Sequence, residues 1–241
     1  MKKFIAVLII AFGSTFIASA QGGDYQDLLT LFVDEKYDKV VQKAVKYNED
    51  DKTKKDALPY LFASMSYFEM SRNDKWTAKV PDAYKYCLKY IKSYAKYDPQ
   101  KEFRADYEDF FADLRKSIIA DGELMLDQQK YTKAKSSYSY LLNIEPNDAG
   151  AEIYLGMTFV AMKQKKDALA SFERAKQLLT EKTASTETTE ITNLLKNALI
   201  TYSNQLAENG GKAEAKEWLE LGLEMFKDDK EYKITYETIG G

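Results

Sequence analysis

The side chains best suited to chemistry in this sequence are clustered carboxylates. Asp106, Glu108 and Asp109 form one cluster, and Glu123 and Asp127 form another at one-turn helical spacing. Such groups can act as general acid and base, or can hold a hard cation. The sequence contains 38 Asp and Glu residues, however, so close pairs arise by chance, and no EF-hand loop, P-loop or nucleophile elbow accompanies them. A helical carboxylate enzyme is therefore the least favoured function.

Nucleophilic and metal chemistry has even less support. The sequence has no His and a single Cys, Cys87, so the commonest general base and metal ligand is missing and no disulfide can form within the chain. Cys87 lies in a strongly helical segment, where we expect it to be buried as a small hydrophobic side chain. We expect no catalytic residue, no bound metal and no cofactor.

Any functional side chains must be positioned by a folded and mostly regular chain. Of the 241 residues, 45% are hydrophobic and 30% are charged, which is the balance of a protein with a buried core. Only 11 Gly and 4 Pro are present, so long irregular segments are not expected. The formal net charge of −3 disfavours a general nucleic-acid binder.

The first 20 residues have the pattern of a signal peptide. Lys2 and Lys3 precede an apolar run from Phe4 to Phe12, and Ala18-Ser19-Ala20 offers small residues for cleavage before Gln21. The run is too short to span a bilayer, which needs roughly 20 apolar residues. No lipoprotein cysteine follows it, and no later stretch predicts a transmembrane segment. We therefore expect a periplasmic or secreted protein, and the sequence leaves both locations open.

Helical periodicity runs through the rest of the chain. One amphipathic stripe joins Ile191, Leu194, Leu195, Ala198, Leu199, Tyr202 and Leu206. The Thr-rich stretch 183–189 can cap this helix, and Asn209-Gly210-Gly211 can end it. Asn147 or Asp148 is suited to cap a later helix, and Pro99 to start one that runs to about Gln129. Only the tail 234–239 alternates weakly, like a strand.

The sequence also repeats itself at a fixed distance. Gly122 recurs as Gly156, Ala134 as Ala168 and Tyr138 as Phe172, each after 34 residues. With Pro146, Leu155 and Phe159, this pattern resembles the tetratricopeptide repeat (TPR). The resemblance implies an all-α fold, an α-solenoid of stacked helix-turn-helix hairpins, as a single domain over 21–241. The clearest repeats are 115–148 and 149–182, and degenerate repeats are 21–56, 57–98 and 183–229.

The resemblance also implies where a partner binds. The inner face of such a solenoid is lined by the first helix of each repeat, and a peptide or helix can lie in that groove. The opposing interpretation, equally weighted, is that inserted helices cover this face. The implied groove positions are Lys116, Ile119, Glu123, Leu126, Gly150, Ile153, Met157 and Val160.

Two aromatic features suggest a different ligand. In the segment 84–97, Tyr86, Tyr90 and Tyr94 share one helical stripe and lysines surround it, an arrangement that can hold an anionic strand or glycan but more often forms core. Trp76, in the polar segment 71–80, can contact a sugar or partner, or can pack the loop against the protein.

These patterns favour an exported TPR-type protein-binding scaffold or adaptor of a bacterial cell envelope, which presents a concave groove to a peptide or protein. The alternative is an exported glycan-binding module that uses loop aromatics. A helical carboxylate enzyme comes third.

Overall fold

A computed structural model describes residues 25–240, and every regular element in that range is helical. The predicted signal peptide, residues 1–20, lies outside the described residues. A single 3-10 turn spans Ala105–Tyr107. The α-helices are α1 (Gln26–Val33), α2 (Tyr37–Glu49), α3 (Ala57–Ser71), α4 (Asp74–Thr77), α5 (Ala83–Tyr97), α6 (Glu108–Asp127), α7 (Tyr131–Ile144), α8 (Ala149–Ala161), α9 (Lys165–Thr180), α10 (Thr189–Glu208), α11 (Lys212–Phe226) and α12 (Lys230–Gly240).

Helices that are close in sequence pack in pairs. The pairs are α1 with α2, α3 with α5, α6 with α7, α8 with α9, and α10 with α11, and α12 packs on the last pair. Neighbouring pairs contact each other through α2 and α3, α5 and α7, α7 and α8, and α8 and α10. The protein is thus all-helical with a repeat-like arrangement. Each predicted repeat segment holds one such pair, although α6 begins at Glu108, ahead of the segment 115–148.

The residues that recur at 34-residue spacing make the same contact in two hairpins. A Cβ on Gly122 would lie 2.8 Å from the ring of Tyr138, and one on Gly156 would lie 2.6 Å from the ring of Phe172. Each aromatic ring therefore packs directly on the glycine of its own hairpin. Tyr138 also stacks on Tyr154 of the next pair, with ring centroids 5.2 Å apart. The glycine lets the two helices approach, and the ring joins that hairpin to its neighbour.

Local signals fixed several helix ends as predicted. The Asp148 side chain accepts a hydrogen bond from the backbone N–H of Ala151 at 2.9 Å, which caps α8. Thr188 caps α10 in the same way, through the N–H of Ile191. Gly210 follows α10 with a φ of 86°, in the left-handed region that favours glycine.

Two predicted elements are wrong. The tail is the helix α12 rather than a strand, because Tyr232 and Ile239 lie on one helical face that is buried, and the Tyr232 hydroxyl donates to the Leu219 carbonyl. Pro99 does not start a helix. The Asp98 carboxylate accepts hydrogen bonds from the backbone N–H groups of Glu102 and Phe103, which folds this segment into turns before α6.

Candidate binding cleft

The structure divides the predicted groove positions between surface and core. On α6, Lys116 is exposed and forms a 3.1 Å ion pair with Glu190 at the start of α10, while Ile119, Glu123 and Leu126 are half-buried. Burial raises the pKa of Glu123, and the neighbouring Asp127 carboxylate raises it further. The α6 part of the predicted groove is therefore still accessible in part.

On α8, most of the predicted groove is closed. Ile153 and Met157 are buried in the core, and a Cβ on Gly150 would lie 2.7 Å from the backbone nitrogen of Leu195 on α10. Helix α10 packs along α8 and covers these positions. Only Val160, which is 57% exposed at the end of α8, remains on the surface. Ile153 and Met157 are therefore packing residues in this structure, and not the accessible groove positions that the resemblance implied.

Trp76 lies on the short helix α4 and is half-buried. The ammonium groups of Lys75 and Lys79 each lie 5.5 Å from its ring centroid, within cation–π distance. The indole ring thus contacts two lysines that are close to it in sequence, and its face is only partly available to a ligand.

The tyrosines of α5 form a ladder with those of α3. The ring centroids follow each other at 5.1 Å from Tyr86 to Tyr67, 5.6 Å to Tyr90, 6.4 Å to Tyr60 and 5.2 Å to Tyr97. The rings of Tyr67 and Tyr90 are stacked, with planes 20° apart. The other pairs are tilted, and Tyr86 stays 39% exposed. The main contribution of these rings is to the packing of α3 on α5. The predicted third tyrosine of the stripe, Tyr94, is instead buried in the core.

A ridge of lysines lies beside this ladder on α5. Lys85, Lys89, Lys92 and Lys96 are all exposed, and at 3.6 residues per turn they share one helical face. Among the described residues, no carboxylate lies within ion-pair distance of any of them. We call this surface the lysine ridge.

The lysine ridge borders an open cleft between α5 and α7. Two cavities, of about 190 Å³ and about 500 Å³, share Ala95, Asn143 and Pro146 in their lining and so form one continuous depression. Leu142 adds apolar surface to the larger cavity. Lys101 and Arg104 line the smaller one. We call this depression, together with the lysine ridge at its edge, the α5–α7 cleft.

Neither wall helix of the cleft carries an acidic residue. Helix α5 contains the ridge lysines, and α7 contains Lys133 and Lys135, with no Asp or Glu in either. The whole chain has more acidic than basic residues, 38 against 35. The positive charge is therefore a local feature of this surface, which would attract anionic groups.

A buried ionic cluster supports the floor of the cleft. The Glu145 side chain, 3% exposed, accepts hydrogen bonds from Arg104 and from Arg115, which is 1% exposed, and lies 3.3 Å from the ammonium of Lys101. Glu108 binds the same two arginines. Burial opposes ionisation of Glu108, but the hydrogen bonds from Arg115 and Arg104 outweigh it and lower its pKa. The cluster ties the segment after α5 to α6 and the end of α7.

The carboxylates and the cysteine considered in the sequence analysis lie apart within residues 25–240. No group of three or more His, Cys, Asp or Glu there has the geometry to hold a metal ion. Cys87 is buried, with its sulfur 3.4 Å from the Ser64 hydroxyl, and burial raises the pKa of its thiol to about 12. In the same range, no helix is long and apolar enough to cross a bilayer.

Comparisons of this chain with protein-family models, curated proteins and solved structures found no match. The α5–α7 cleft was missed by sequence reasoning, which placed binding on the first helix of each repeat. A signal was nevertheless present, because the segments 83–97 and 131–144 contain lysines and no acidic residue in an otherwise acidic chain. Recognising that these two helices border one cleft required the structure.

Proposed function

We propose that the protein is a binding scaffold of helical-repeat type, exported to the periplasm or the medium, that holds a protein or peptide partner without transforming it. The observation that carries this proposal is the open α5–α7 cleft, whose walls come from two different helical pairs. Repeat proteins commonly bind extended ligands on surfaces that span neighbouring units.

The binding surface that we propose differs from the face that the TPR resemblance implies. On that face, Ile153 and Met157 are buried and Lys116 is paired with Glu190. The α5–α7 cleft has instead an apolar floor, unpaired lysines at its edge, and a rigid base in the ionic cluster of Glu145. Because this surface is already ordered, most of the conformational entropy lost on binding is that of the partner.

The glycan-binding alternative has less support. Sugar-binding sites offer free aromatic faces, whereas the rings of Tyr67 and Tyr90 cover each other and Trp76 lies beside two lysines of its own loop. The carboxylate-enzyme alternative also has less support, because the Glu108 carboxylate is bound by two arginines and is not free to act as an acid or base.

Site-specific photo-crosslinking in the native host tests the proposal. A benzophenone amino acid replaces Lys92 at the cleft or, as a matched control, the exposed Asn197 on α10. After illumination, the envelope and medium fractions are probed separately, and crosslinked proteins are identified by mass spectrometry. We expect one partner to be captured from position 92 and not from position 197. Equal capture from both positions, or none from position 92, would contradict the proposal.

A further inference from the structure

The charges and the apolar surface of the α5–α7 cleft also indicate which class of partner it can bind. We infer that the cleft binds an extended acidic segment of a protein, in which carboxylates at alternate positions meet the lysine ridge. This inference rests on the proposed function, since it names the partner class of the same surface.

The first support is that four lysines without a carboxylate partner among the described residues share one face of α5. Some lysines in residues 25–240 pair with carboxylates, as Lys36 does with Asp34 at 2.8 Å and Lys196 with Asp229 at 2.9 Å, and others are unpaired like those of the ridge. The ridge differs because its unpaired lysines lie together on one face and border a cleft whose wall helices, α5 and α7, contain no acidic residue. Lys96 has one further contact, with the ring of Tyr97 at 5.1 Å. Their charges are thus available to a ligand.

The second support is that the buried acid Glu145, which follows the lining residue Ile144, is already paired with cations. Its side chain is bound by Arg104, Arg115 and Lys101. Glu145 therefore does not present an unpaired negative charge to an incoming carboxylate. The same cluster keeps Arg104 and Lys101 at the cleft lining.

The third support is the spacing of the lysines. Lys89, Lys92 and Lys96 are three and four positions apart, which is about 4.5 and 6 Å along a helix at about 1.5 Å per residue. In an extended chain, side chains on one face recur at about 6.6 Å, since each residue rises about 3.3 Å. Flexible lysine side chains can bridge this small difference.

The fourth support is the floor of the cleft. Ala95, Leu142 and Pro146 offer an apolar surface beside the ridge. The residues of an extended segment that do not face the lysines can cover this surface. Alternating acidic and small apolar or polar residues therefore match the cleft, whereas a uniformly charged polymer leaves its floor uncovered.

Fluorescence anisotropy with synthetic peptides tests the inference. The probe is a fluorescein-labelled peptide of six Glu-Ser repeats, titrated with the purified protein at low salt. The variant K89E/K92E/K96E reverses the ridge, and the control K165E/K166E/K212E reverses three exposed lysines at the starts of α9 and α11 with the same change in net charge. Circular dichroism checks that both variants remain folded.

We expect the ridge variant to bind the peptide at least about tenfold more weakly than the unmodified protein, since three ion pairs are replaced by repulsion. The control variant should stay within about twofold of it. Equal weakening in both variants would show attraction by net charge only and would overturn the inference. So would tighter, ridge-dependent binding of polygalacturonate, which would identify an anionic glycan instead.

The two proposals can fail separately. If position 92 captures a partner in the host but the Glu-Ser peptide does not bind the purified protein, the scaffold function stands and the acidic partner class is wrong. If neither experiment gives a signal, both proposals are wrong.

Discussion

Replacing Asp148 by Asn should stabilise the protein above neutral pH. The Asp148 side chain caps α8, is 0% exposed, and has one oxygen, Oδ2, without a hydrogen-bond partner among the described residues. Burial raises its pKa from 3.8 to about 7, and the charges of Glu145 and Glu152 contribute in the same direction. An Asn side chain can keep the cap hydrogen bond to Ala151 and removes the buried charge.

The sign of the pH effect follows from this raised pKa. The folded protein holds the Asp148 proton more tightly than the unfolded chain, so this group favours folding below about pH 4. The advantage is lost as the pH rises towards 7. At about 1.4 kcal/mol per pKa unit, the full difference is about 4 kcal/mol. The Asn amide nitrogen also needs a partner, so we expect a gain of about 2 to 4 kcal/mol at pH 8.

Urea unfolding followed by circular dichroism measures this effect. The free energy of unfolding of Asp148→Asn is compared with that of the unmodified protein at pH 4.5 and pH 8, because the comparison cancels the titration of all other groups. Asp148→Ala serves as the control that removes both charge and cap. The reasoning is refuted if Asp148→Asn is no more stable than the unmodified protein at pH 8, or if the difference between them is the same at both pH values.

Three further predictions concern the core. Gly156→Ala should lower the free energy of unfolding by about 1 to 3 kcal/mol, because the new methyl group overlaps the ring of Phe172; thermal melts would show this, and an unchanged midpoint would contradict it. Met157→Glu should lower the free energy of unfolding by about 3 kcal/mol or more, because it places a charge in the core, whereas Val160→Glu at the surface should change it by less than about 0.5 kcal/mol. Equal urea midpoints for the two variants would contradict the burial of Met157. The thiol of Cys87 should react with a thiol reagent only in denaturant, and rapid labelling of the native protein would contradict its burial.

Features encoded within a few residues were predictable from the sequence. The caps at Asp148 and Thr188 depend on side chains that bond to backbone groups three positions away. The recurrence of Gly122 and Tyr138 after 34 residues was visible in the sequence, whereas the direct contact between the ring and the glycine of the same hairpin required the structure. The all-helical class follows from periodicity that persists along the chain.

Features set by how helices pack against distant helices were not predictable. Met157 and Ile153 have the apolar character of either a groove or a core, and only the position of α10 along α8 decides between them. The weak alternation in the tail 234–239 does not mark a strand. The tail is helical because Tyr232 is buried against α11. The α5–α7 cleft depends on how two helices from different pairs pack against each other, which no local pattern encodes.

Hydrogen exchange of the protein with and without its captured partner tests the central claim most directly. When the partner is present, we expect slower exchange in α5, in the segment 98–104 and at the end of α7, with α8 and α10 unchanged. Slower exchange confined to α6, α8 and α10, with α5 unchanged, would contradict it and would return the binding surface to the face that the repeat pattern implies.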